Sequence, residues 1–310
     1  MKNKSTVSIG IPAFNEEANI GFLLKDLLKQ NQKNFVFHQI IISSDGSTDK
    51  TIETAKKASA SFIQKEGQEV ILIDNKERKG RAVRQNQIME RSASDILVLL
   101  DADILIKDKN FIEKIIKPVL NKKADLTSVS VQELPPENFL ERILKISMEF
   151  KKFIFENYKN GNNLYTCHGR ARAFSKKLYK TINFKESVGE DAYSYFYTIA
   201  NGFKYSFVKN TGIFYKLPAN FQDHEKQSIR FYKTLSLLEK DFGRELVSKE
   251  NYISGSLLVK NLMKYIFVNP LIIIYFFIAA FLKIKALFVS DIKNNWSTSE
   301  SSKSLRKELI

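Results

Sequence analysis

The sequence predicts an α/β fold, a mostly parallel sheet flanked by helices. Three observations carry that expectation. Apolar runs of strand length alternate with helical periodicities from residue 7 to residue 131. Those runs are apolar enough to look buried, as in strands covered on both faces. Polar residues gather just after them, at 15–17, 43–45 and 101–103, where the carboxyl edge of such a sheet binds ligands.

In order, residues 7–11 read as a strand. Residues 19–29 read as a helix, with Ile20, Leu23, Leu24, Leu27 and Leu28 on one face. A strand at 37–42 follows, then a helix capped by Asp49 and running to about residue 60. Strand 70–73, helix 81–91, strand 96–100, helix 111–120 and strand 126–131 complete the alternation. Pro135-Pro136 closes this half, and residues 139–158 form a basic, aromatic helix. After a turn at Gly161 come a short segment at 167–174, a helix at 191–200, a strand at 204–208 and a helix from about 224 to 239. The pattern places one domain at 1–240 and a C-terminal region at 241–310.

That region differs in character. Residues 265–282 are apolar apart from Asn269 and Pro270, and lysines flank them at Lys260, Lys264, Lys283, Lys285 and Lys293. Pro270 suits the first turn of a helix with Asn269 as its cap. An apolar segment of about 262–289 predicts a membrane anchor, either spanning or re-entrant. The serine-rich tail at 297–304 is expected to be mobile, and the N-terminus carries no signal-peptide pattern.

Composition narrows the chemistry. The 310 residues carry 49 Lys and Arg against 34 Asp and Glu, a formal charge of +15, so an anionic partner is implied: nucleic acid, membrane or a phosphorylated small molecule. A single Cys excludes an intrachain disulfide and a multi-cysteine zinc site. No GxGxxG follows the first strand and no P-loop exists, so neither a dinucleotide cofactor nor a P-loop enzyme is expected. Nucleic-acid signatures are also absent.

Several residues could carry chemistry. Asp101 and Asp103 end an apolar strand two residues apart, so both carboxylates can face one hard cation. Asp45 follows the second strand in Ser43-Ser44-Asp45-Gly46-Ser47. Pro12, Asn15 and Glu17 follow the first. Lys79, Arg81 and Arg84 open the third helix, either as a solvated basic face or as phosphate ligands. Glu190 and Asp191 begin a helix, where one carboxylate could act as a base or simply favour the dipole. Gln227 and Arg230 share a helical face. His38, His168 and His224 are too scattered for a metal cluster, with His224 left open as a third ligand.

The ordered set resembles a family 2 glycosyltransferase of GT-A fold from about Val7 to Phe231. It comprises PAFNEE after the first strand, SDGSTD after the second, KG before the third helix, DAD after the fourth strand, then ED and QxxRF. The resemblance implies a Rossmann-like nucleotide-diphospho-sugar domain with C-terminal membrane-associated helices. It implies a nucleotide-sugar donor, a divalent cation (Mg or Mn) and an inverting reaction. It assigns Pro12, Asn15, Glu17, Asp45, Lys79, Gly80 and Asp101 to the donor and Asp101 with Asp103 to ribose and metal. Asp191 becomes the catalytic base, while Glu190, Gln227 and Arg230 fall to acceptor or diphosphate.

A base is needed only when the acceptor is a hydroxyl, which favours a glycan, glycolipid or lipid-linked saccharide over a polyprenyl phosphate. A nucleotidyltransferase is the more distant alternative. The chain departs from the family at Ser44, Phe231 and the bulky Arg81 and Arg84. A cell-membrane location with the catalytic domain on the cytoplasmic side, a role in cell-surface polysaccharide or glycoconjugate synthesis, and no nucleic-acid partner complete the expectation.

Overall fold

The computed structural model describes residues 4–66, 68–185 and 189–289, together with Ser301 and Leu305. Its centre is a seven-stranded sheet built from β1 (Ser5–Ala13), β2 (Phe35–Asp45), β3 (Glu69–Asn75), β4 (Ile96–Leu100), β5 (Leu126–Glu133), β6 (Ala171–Ser175) and β7 (Tyr205–Tyr215). The order is β3-β2-β1-β4-β6-β5-β7. Every pairing is parallel except those of β6, which runs antiparallel to β4 and β5. Ile9 lies between Ile40 on β2 and Val98 on β4, and all three are fully buried. That explains why the strands look buried in sequence: both faces are covered.

Two apolar layers do the covering. One is formed by α1 (Ile20–Leu28), α2 (Thr51–Glu66), α4 (Phe111–Leu120) and α5 (Phe139–Asn157). The other is formed by α3 (Arg81–Arg91), the short α6 (Lys176–Tyr179), α7 (Glu190–Ala200), the end of α8 (Phe221–Phe242) and α9 (Arg244–Asn251). The strands extend beyond the apolar runs into their polar ends, so β2 reaches Asp45. Asp49 accepts from the Thr51 backbone N–H at 3.0 Å and so holds the start of α2. β7 is much longer than the expected strand at 204–208. A bulge shifts its register between Val208 and Gly212, and pairing with β5 resumes to Tyr215. The exposed Lys209 and Asn210 of that bulge broke the apolar run in sequence.

The C-terminal apolar stretch folds as two helices, α10 (Gly255–Val268) and α11 (Ile272–Phe288). This corrects the reading of Asn269 and Pro270. Asn269 caps the end of α10, Pro270 lies in the turn after it, and Leu271 caps α11. Proline has no N–H to continue α10, so the helix stops there. Among the described residues no helix is long and apolar enough to cross a membrane. Both helices pack against the α5 side of the molecule, where Ile272 and Tyr275 join the sheet's own core. The tail at 297–304 lies outside the described residues except for Ser301, whose Oγ donates to Asp223 at 2.7 Å.

Candidate active site

The carboxyl edge of the sheet gathers the polar loops. After β1, Asn15 takes a left-handed φ of 51°, which asparagine tolerates. There its Oδ1 accepts from the Thr48 N–H at 2.8 Å, and its own N–H donates to Ser47 Oγ at 3.1 Å. Glu17 Oε2 accepts from the Lys50 N–H at 2.9 Å, and the Glu17 N–H donates to Asp49 at 3.1 Å. Pro12 stands in register with Ser43. Pro12, Asn15 and Glu17 therefore belong to one wall, in which the loops after β1 and β2 are stitched together. The Arg78 guanidinium lies 3.9 Å from the Phe14 ring centre on the same wall.

Asp45 ends β2. Its Oδ1 accepts from the Lys79 N–H at 2.8 Å and from Arg84 Nε at 2.7 Å, and its Oδ2 accepts from the Gly80 N–H at 2.9 Å. Gly80 has φ 94°, a conformation that costs glycine little. Asp45 thus fixes the loop that carries Lys79 and Gly80 into α3, and these three residues form one unit. Arg84 is 2% exposed, so it is an internal brace rather than a solvated face.

The centre of the site is Arg81. Its Nη2 lies 2.8 Å from Asp101 Oδ1, and its Nε lies 2.9 Å from Glu190 Oε1. The same guanidinium donates to the Gly169 carbonyl at 2.5 Å. Gly169 is tightly packed here: a Cβ would come within 2.8 Å of Arg81 Nη2 and 3.4 Å of Asp191 Cβ. Asp191 therefore flanks the same point as Asp101 and Glu190. It sits at the N-terminus of α7, with Oδ1 accepting from the Ala192 N–H at 2.8 Å.

β6 makes this convergence possible. By pairing antiparallel with β4, it delivers Arg170 beside Asp101, whose N–H donates to the Arg170 carbonyl at 2.9 Å. The Arg170 guanidinium stacks 3.9 Å from the Tyr215 ring centre and lies 3.9 Å from Asp101 Oδ2. Arg172, fully buried, donates from Nη1 to the Glu190 carbonyl at 2.7 Å and to Ser194 Oγ at 2.9 Å. It anchors the start of α7.

The sequence offers Arg81 as a solvated basic residue, a phosphate ligand or a bulky departure, and it gives no role to Arg170 or Arg172. A charged residue inside the apolar run Ala171–Phe174 was the available signal, because a buried guanidinium must be paired.

Burial pushes the Asp101 carboxyl above the ordinary carboxylate range, against the pull of Arg81. The Cys167 thiol is pushed up to about 12, also by burial, so it stays protonated at neutral pH. Asp103 follows Asp101 by two residues and is partly exposed. Among the described residues no three His, Cys, Asp or Glu side chains gather to hold a metal, so His224 does not complete a ligand set. Asp103 is a hard oxygen donor, and such a site fits Mg or Mn arriving with a diphosphate, which uses one or two carboxylates plus phosphate oxygens. Gln227 and Arg230 lie along α8. One turn further on, Thr234 adjoins Gly189, where a Cβ would come within 3.1 Å of Asp191 Oδ1 and 3.2 Å of Thr234. They stand on the helix that borders the Glu190–Asp191 turn.

The family model described as "Glycosyl transferase family 2" matches residues 8–182. An uncharacterized protein of Methanocaldococcus jannaschii is 30% identical over 184 residues, 58% of this chain and 69% of that protein. The 4,4'-diaponeurosporenoate glycosyltransferase of Staphylococcus aureus is 28% identical over 116 residues, and the match spans only 28% of its length. Among solved structures, a Pyrobaculum calidifontis mannosyltransferase in complex with GDP-Man and Mn2+ aligns with TM-score 0.60 at 14% identity. That alignment covers 94% of this chain and 78% of the other. Glucosyl-3-phosphoglycerate synthase from Mycobacterium tuberculosis aligns with TM-score 0.53 at 16% identity, over 77% and 80% of the two chains. The structural likenesses speak to the fold, and the matched family model covers more than half of the chain: the protein belongs to glycosyl transferase family 2.

Proposed function

We propose that this glycosyltransferase moves a sugar, with inversion, from a nucleoside diphosphate to a hydroxyl acceptor. One observation carries the reading. The Arg81 guanidinium joins Asp101, from the strand half of the fold, to Glu190, at the turn that also presents Asp191. Donor-side and acceptor-side carboxylates therefore meet at one point on the carboxyl edge of the sheet.

The walls assign the roles. The loops holding Pro12, Asn15, Glu17, Asp45, Lys79 and Gly80 receive the nucleotide. Asp101 and Asp103 face the ribose and diphosphate, with Asp103 the carboxylate for a divalent cation. When bound, that cation takes up negative charge on the leaving diphosphate. Asp191 accepts the proton of the attacking hydroxyl as its oxygen bonds to the anomeric carbon and the bond to the diphosphate breaks. Glu190 orients Arg81, and Gln227 with Arg230 meets the acceptor or diphosphate from α8. The apolar C-terminal helices associate the enzyme with a membrane, and the catalytic domain lies on the cytoplasmic side. Its product then belongs to cell-surface polysaccharide or glycoconjugate synthesis.

Asp191→Asn tests the assignment. A lost general base lowers turnover by on the order of 10²–10⁴, while calorimetric titration with UDP or GDP and Mn2+ should show donor-side binding intact. Full turnover in Asp191→Asn would remove the base from the mechanism and bring back a phosphate acceptor, which needs none.

A further inference from the structure

We propose that α10 and α11 are an in-plane docking surface for an anionic lipid leaflet, lying within the bilayer interface and not across it. The proposal deepens the membrane association proposed above and rests on it.

Two opposite faces of α11 are apolar. Ile272, Tyr275, Leu282 and Ala286 are buried against the protein. The Tyr275 hydroxyl accepts from Lys151 of α5 at 2.5 Å, and Lys285 pairs with Glu225 of α8 at 2.6 Å, so this inner face is fully engaged. The outer face is Ile274, Phe277, Phe281, Ile284 and Phe288, spaced by three and four residues on one stripe. Phe277 is 74% exposed and Phe288 82%. On α10, Val259, Met263 and Phe267 recur every fourth residue, and Phe267 is 86% exposed.

An ordinary surface helix is polar where it leaves the protein, and an apolar face of this extent marks a second partner. The two helices lie together on α5, where the Phe150 ring is 5.1 Å from Tyr265 of α10 and 6.5 Å from Phe276 of α11. The patch continues onto α8 through Phe221, 6.4 Å from Phe281.

Charge selects the occupant. Between Glu250 and Asp291 the chain has no acidic residue, but it has Lys260, Lys264, Lys283 and Lys285. Among the described residues the first three of these lysines form no salt bridge. A second copy of this face would oppose lysine to lysine, which disfavours pairing. Anionic headgroups beside acyl chains match both components, with each surface lysine contributing about 1 kcal/mol.

Length selects the orientation. Helices of 14 and 17 residues extend about 21 and 26 Å at 1.5 Å per residue, less than the ~30 Å hydrocarbon core. An amphipathic pair instead lies at the interface, its apolar side immersed about 5–10 Å.

The test is sedimentation of the full chain with phosphatidylcholine vesicles, with or without phosphatidylglycerol. Binding to the anionic vesicles is expected, weakened by salt. A tenfold or greater loss is expected in Phe277→Glu/Phe281→Glu and in Lys260→Gln/Lys264→Gln/Lys283→Gln. Binding of UDP or GDP with Mn2+ in each variant verifies the fold. A nitroxide on Phe277→Cys should report a depth of about 5–10 Å by lipid-quenching or relaxation measurements. Equal binding by the double-glutamate variant, no preference for anionic vesicles, or a nitroxide at the bilayer centre would overturn the proposal. So would a dimer in vesicle-free buffer that the glutamates dissolve. Vesicle binding is read without any sugar transfer, so its loss would leave the Asp191 assignment standing.

Discussion

Arg81 is a single side chain that makes two halves of a site into one. A buried cation with two carboxylate partners is costly to remove, because the carboxylates are left unpaired; breaking such a pair costs about 3–5 kcal/mol. Arg81→Ala should therefore lower the midpoint of denaturant unfolding and raise the donor KM, whereas Arg81→Lys should recover part of the stability, since one ammonium cannot reproduce the two-sided guanidinium geometry. An unchanged KM in both would show that Arg81 only braces the fold.

The histidines make a pH argument at the same scale. Burial, aided by Arg170 and Lys152, brings His168 down to about 4, and burial with Lys151 does the same for His224. The unfolded chain titrates near the ordinary value of about 6.5. Between those values the unfolded state binds more protons, so stability is lost as pH falls from about 6.5 toward about 4. His168→Asn should flatten that slope in melting curves; an identical slope would mean that His168 already charges in the native state.

The individual carboxylates were legible in the sequence because their spacing relative to strand ends is local. The Arg81 bridge was not. It depends on β6 bringing Gly169 and Arg170 beside Asp101, a contact between residues more than sixty positions apart.

Elements with a strong local hydrophobic pattern were legible nearly to the residue, as α3, β4 and α4 show. Those shaped by non-local geometry were not. β7 carries a bulge, and the long β5–β7 pairing rests on Gly212, where a Cβ would come within 2.5 Å of the Ser130 carbonyl oxygen. Gly212→Val should destabilise the protein by about 1–3 kcal/mol, visible as a lower melting temperature; no change would mean that the bulge relaxes freely. In the apolar run at 265–282 the place of Asn269 and Pro270 was misread for a related reason. Hydropathy sums over a window, whereas one proline fixes where a helix ends, so the turn between α10 and α11 was not placed.

At the scale of the molecule, strand–helix alternation was enough to forecast a mostly parallel sheet between two layers, since each βα unit must cover a sheet face. The strand order was not available from local pattern, because nothing within five residues of Ala171–Ser175 announces that the strand will run against its neighbours. The charge of +15 also reads differently once placed. Arg84 and Arg172 are buried and Arg81 and Arg170 half-buried, all paired at the site, while Lys260, Lys264 and Lys283 of α10 and α11 sit on the outside with no salt bridge among the described residues. In the proposed reading, one excess serves a small anion and the other a surface.

That reversed strand has a consequence for how the enzyme can change. In the proposed reading, the segment up to Asp103 forms the pocket for the leaving group, and the segment that begins at Gly169 contributes Asp191 as the base and α8 beside it. The two segments meet through backbone pairing and a few arginine contacts. On that proposal, substitutions on the later segment should retune which acceptor is glycosylated without disturbing recognition of the nucleotide. Exchange of residues 169–242 between relatives, with Arg81 retained, is the natural seam along which acceptor choice could be swapped.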